Sequence, residues 1–123
     1  MTPINVDFEV PYNKKLHTVR VVVVKSQKEL IQLVQSLAWF IKDETMYEVG
    51  KSLHGATYAL HPGPITICMC RDLLTWEVIS HEVAHVAHYI VDDGKEEAIA
   101  HIVGDLTHSI GKELKANGAK ILL

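Results

Sequence analysis

Residues 73–91 constrain this chain more than any other segment, because two kinds of residue separate there onto opposite sides of one helix. At about 100° per residue, with His81 at zero, His85 falls at about 40° and His88 at about −20°. Trp76, Ile79, Val83, Val86 and Ile90 gather around 180° on the same wheel, by the same rule of about 100° per residue. A helix of this kind must bury one face in a core while the other presents a row of imidazoles. Asp72 is its expected N-cap, and Asp92–Asp93–Gly94 its stop.

The remaining periodicities supply the partner layers. Residues 4–10 alternate apolar and polar, 11–15 read as a turn, and 17–25 (HTVRVVVVK) are rich in β-branched residues, so a hairpin is expected. Ser26 followed by Glu29 is a capping-box pattern, opening a helix through about residue 42. Residues 43–54 lack a clear period and read as a loop that admits a helical turn. GATYAL (55–60) and PITICM (64–69) flank His61–Pro62–Gly63 and read as a second hairpin. A further helix is expected over 95–111; the tail that follows has a helical beginning but no clear partner, and 112–123 is unassigned. The expected fold is α+β, a single domain over 1–123: an N-terminal hairpin and helix, a second hairpin, then two helices packed together.

Composition narrows the function classes. The chain has 123 residues, 48% hydrophobic and 22% charged, with a formal charge of −3, so no basic field points to nucleic acid or an anionic membrane. No apolar run approaches the roughly 18 residues of a membrane span, and MTPINVDFEV has no signal-peptide pattern; a cytoplasmic location is expected. Cys68 and Cys70 are too close for an ordinary disulfide, and their apolar setting favours buried free thiols over a metal site. Histidine is the outlier: eight in all, five of them between 81 and 108.

HEVAH at 81–85 places two histidines one helical turn apart, so both can reach one metal ion, and puts Glu82 beside that ion to take a proton from water. In so histidine-rich a chain this short pattern also arises by chance, so a third donor matters. On the helix from 95 onward, with Glu97 at zero, His101 lies at about 40° and Gly104 at about −20°. Ile99, Ile102, Val103, Leu106 and Ile110 occupy the other side. Glu97 thus shares a face with the small residues Ala100 and Gly104, which would let a neighbouring helix approach. Glu96, about 100° away, is the alternative donor.

HEVAH followed after a short turn by EEAIAHIVGDL resembles the gluzincin metallopeptidases. More closely, it resembles the compact versions carried by phages and mobile elements, and the related peptidases that inactivate repressors of such elements. The resemblance spans about residues 53–110; no motif covers the N-terminal hairpin and first helix. It implies a zincin-like fold and a zinc ion held by His81, His85 and Glu97, with Glu82 as general base. It also implies a peptide or protein substrate lying extended along the edge of the hairpin strand before the metal helix. Larger gluzincins often carry an acidic residue four after the glutamate; here that position is His101. Asp105 is then a candidate buttress, and His101 a candidate donor to the oxyanion, against the plainer reading of an exposed helix histidine. His88 suits a supporting role better than direct ligation. His54 and Tyr58 lie near the hairpin, and read more readily as exposed loop residues than as cleft residues. Two further readings stay open: a zinc-stabilised, non-catalytic protein-binding module, and an interaction domain in which the motif is coincidental.

Overall fold

Two residues with left-handed backbone, Asn13 (φ 51°) and Lys14 (φ 64°), reverse the chain between its first two strands. β1 (Ile4–Tyr12) and β2 (Lys15–Val24) pair antiparallel from Tyr12 opposite Lys15 to Ile4 opposite Val23. Positive φ at both central residues matches the right-handed twist of the strands, so the turn is tighter than the five residues its sequence suggests. Pro11 is tolerated because β1 lies at the sheet edge, where a missing N–H breaks no inner ladder. This computed structural model describes residues 2–41, 53–59 and 63–122. Most of the loop expected over 43–54, and the His61–Pro62 part of the second turn, lie outside the described residues.

Four strands form one mixed sheet in the order β1-β2-β4-β3. After β2, helix α1 (Gln27–Ile41) crosses the sheet, β3 (Gly55–Ala59) and β4 (Ile65–Cys70) form the second hairpin, and β4 runs parallel to β2. Ser26 Oγ accepts from the Glu29 N–H at 3.3 Å, while the Glu29 carboxylate accepts from the Lys25 N–H at 3.2 Å, one residue before the position a capping box prescribes.

The strand sequences explain the layers. All six residues of β4 are buried, as expected of an inner strand covered on both faces. Val19, Val21 and Val23 of β2 join Ile65, Ile67 and Met69 of β4 beneath the last two helices. On the opposite face Val24, Cys68, Cys70, Ala56 and Tyr58 pack against Leu30 and Val34 of α1. The sheet is therefore sandwiched between α1 on one side and α2 (Trp76–Ile90) with α3 (Glu96–Ala116) on the other. The result is an α+β arrangement of four strands and three helices among the described residues.

Two boundaries differ from expectation. Asp72 falls in a short 3-10 turn, Arg71–Leu73, and Thr75 is the N-cap of α2, its hydroxyl accepting from the Val78 N–H at 3.1 Å. Leu74 is extended and fully buried, which separates the turn from the helix. α3 runs five residues past the expected 111, because Ile110 and Leu114 continue its buried stripe. Gly118 (φ 85°) then lets the chain turn back, with the Ala119 N–H bonded to the Leu114 carbonyl. The tail left unassigned ends against the start of α2, where the Leu122 N–H donates to the Leu74 carbonyl at 2.7 Å.

Candidate active site

The separation of faces on α2 is realised. Ile79, Val83, Val86, Ala87 and Ile90 are buried, and His81, His85 and His88 are exposed. Because His81 and His85 stand one turn apart on one face, their rings meet edge to face, with centroids 4.8 Å apart and planes at 84°. The two Nε2 atoms come within 3.3 Å of each other.

Glu82, about a quarter-turn round the helix, takes neither the exposed nor the apolar side. It is only 4% exposed, in contact with β3. The Thr57 hydroxyl donates to its Oε1 at 2.9 Å, with the Glu82 backbone carbonyl a more distant second acceptor at 3.3 Å. Its Oε2 lies 3.9 Å from His81 Nε2. Gly55 makes room for this carboxylate: a Cβ there would stand 3.1 Å from both Cγ and Oε2 of Glu82. Two grooves meet at Glu82. One is lined by His54, Thr75, Glu77 and His81, the other by Ala56, Thr57, His85 and Tyr89. Glu82 therefore lies at the middle of a cleft bounded by α2 and β3.

β3, not β4, forms the rim of this cleft. The strand PITICM was expected to offer its edge, but β4 is bracketed by β2 and β3. Among the described residues β3 is paired only with β4, which makes it the edge strand.

The residues expected from α3 stand elsewhere. α3 turns Ile102, Leu106 and Ile110 inward, while Glu96, Glu97, Ala100, His101, Gly104, Asp105 and His108 are exposed. Nothing lies within 4 Å of a Cβ built on Gly104, so the face bearing Glu97 is not the one that meets a neighbouring helix. Close approach occurs instead at Gly111, where an added Cβ would sit 2.2 Å from the Trp76 ring. His101 pairs with Asp105 at 3.1 Å and borders a groove with Phe8 and Val10 of β1. β1 is three strands away from β3, roughly 14 Å across the sheet. Among the described residues no three His, Cys, Asp or Glu side chains converge as a metal cage.

Burial pushes both thiols up, Cys68 and Cys70 each to about 12, with the Glu82 charge adding to Cys68 and a hydrogen bond to Asp72 adding to Cys70. They are inert core residues beneath α1. His54, read from sequence as a loop residue, is exposed and borders the cleft. Thr57 was missed, since a threonine in a strand carries no signal of its own. Gly55 offered a weak one, because glycine in a strand often marks close approach of another group. No helix among the described residues is long and apolar enough to cross a membrane. No family model, curated protein or solved structure matches this chain.

Proposed function

We propose that this chain is a zinc-dependent peptidase that hydrolyses a peptide bond in a segment laid along β3. One observation carries the reading. Two nitrogen ligands on a tetrahedral zinc, each at about 2.05 Å, stand about 3.3 Å apart. The Nε2 atoms of His81 and His85 are 3.3 Å apart.

His81 and His85 would hold the metal with a carboxylate from the first turn of α3, Glu97 in this reading and Glu96 its alternative. Among the described residues no third donor converges with the histidine pair, so in this reading the glutamate comes to the histidines only as the metal binds. Zinc, when bound, supplies Lewis acidity, lowering the pKa of water toward neutrality and polarising a peptide carbonyl. Glu82 does the proton work: with Oε1 held by Thr57, Oε2 accepts the proton of the attacking water and the carboxyl returns it to the leaving amine. β3 has main-chain donors and acceptors on its unpaired side, and an extended peptide can add there as a further strand. The partner class in this reading is accordingly a peptide or protein.

Glu82→Gln is the direct test. The amide keeps the shape and cannot take the proton, so turnover of a peptide library should fall by roughly 10²–10⁴-fold with zinc still bound. A fully active variant would refute the mechanism. Zinc bound by the parent protein without any turnover would favour the binding-module reading.

A further inference from the structure

The edge strand that borders the cleft also grips the proton-carrying glutamate. We infer that Thr57 is a positioning residue for Glu82, holding one carboxylate oxygen so that the other faces the histidine pair; this rests on the peptidase reading above.

Three observations combine. The Thr57 hydroxyl donates to Glu82 Oε1 at 2.9 Å, a hydrogen bond to a charged acceptor and therefore one of the stronger kinds. Glu82 is 4% exposed, so water cannot readily replace that donor. Gly55, two residues earlier on the same face of β3, stands against Cγ and Oε2 of the same side chain. A glutamate has three rotatable torsions, and its carboxylate would otherwise sample several positions about the cleft. Thr57 fixes the carboxylate end while Gly55 admits its stem. Oε2 is left 3.9 Å from His81 Nε2.

The arrangement also ties substrate to base. β3 is the strand on which an extended peptide would pair, and Thr57 is at its centre. Main-chain bonds made along β3 then steady the same backbone that carries the Thr57 hydroxyl, so binding remote from the scissile bond is expressed as placement of Glu82.

The test compares T57V, nearly the same shape without the donor, with T57S, which keeps it. Val is β-branched and suits a strand, so β3 should form in both. Displacing a catalytic group by about 1 Å costs on the order of 10²-fold. T57V should therefore lose roughly 10- to 100-fold in kcat, with KM and zinc content near the parent's, and T57S should recover most of it. A purely structural role would not yield that split or that rescue. An activity-free readout accompanies it: side-chain NMR of Glu82 in the metal-free protein, with one rotamer in the parent and T57S and averaging in T57V. Parent-like kcat and a single Glu82 rotamer in T57V would overturn the inference. If the parent cleaves no peptide, the peptidase reading fails, and the NMR comparison alone upholds or overturns the hold of Thr57 on Glu82.

Discussion

Two glycines of α3 should respond to the same substitution with opposite signs. At Gly111 a new Cβ would stand 2.2 Å and 2.3 Å from two carbons of the Trp76 ring. Ordinary carbon–carbon contact is about 3.5–4.0 Å, so the indole or the helix axis must move by more than about 1 Å. The indole packs against Gly111 with the Lys115 ammonium 5.0 Å from its ring centroid, so any shift of the ring disturbs both contacts. Overpacking of this kind costs about 1–3 kcal/mol, and so close a contact belongs at the upper end. Removing a helical glycine returns about 1 kcal/mol. Gly111→Ala should therefore destabilise by about 2 kcal/mol, lowering Tm by roughly 6–10 °C at roughly 3–5 °C per kcal/mol. At Gly104 nothing lies within 4 Å of the added carbon. There the propensity gain of about 0.5–1 kcal/mol acts alone, and Gly104→Ala should raise Tm by a few degrees. Urea unfolding of both variants beside the parent measures the difference, about 3 kcal/mol between them. A Gly111→Ala protein as stable as the parent would refute the packing of α2 on α3 described above. A destabilised Gly104→Ala would mean that Gly104, not Gly111, is the point of close approach.

Further outcomes follow from the same contacts. Thr75→Ala removes the side-chain acceptor for the Val78 N–H and should cost about 1 kcal/mol, seen as a lower urea midpoint at unchanged slope. Cys68 and Cys70 should resist iodoacetamide at pH 8 in the folded protein and react once it is unfolded; rapid labelling of the native state would contradict their burial. Their folded-state pKa of about 12 lies above the reference value of 9.0, so the stability they contribute is intact below pH 9 and is lost as pH rises toward 12. Replacing Cys68 with alanine should flatten that alkaline decline.

Much of this fold is legible in residue periodicity, and the departures have physical causes. Both hairpins, α1 and the two faces of α2 follow from alternation and from the placement of apolar residues. The turn at Asn13–Lys14 is shorter than its polar composition suggests, because hydrogen bonding continues to Tyr12 and Lys15. Asp72 looked like a cap because it precedes a helical pattern; the buried, extended Leu74 moves that role to Thr75. On α3 two signals conflicted. Ala100 and Gly104 suggested a face for close approach, while Ile102, Leu106 and Ile110 marked the opposite side as core. Burial of the apolar stripe is worth far more than the closer spacing small residues permit, and the stripe faces inward. That outcome leaves Glu97 and His101 exposed. The histidine pair was legible because i and i+4 on a helix fix its geometry locally. Thr57 was not, and Gly55 only weakly as a glycine within a strand, because their approach to Glu82 depends on how β3 lies against α2, which no local pattern specifies.

A zinc ion shared by His81, His85 and a glutamate of α3 would be read out by the amount of zinc held per chain. Native mass spectrometry on the parent, His85→Ala and Glu97→Ala should find one zinc in the parent, none or little in His85→Ala, and markedly weaker binding in Glu97→Ala. Full retention in Glu97→Ala alone would move the third donor to Glu96 or His88. A parent chain that takes up no zinc at neutral pH, even when supplied in excess, would contradict the account.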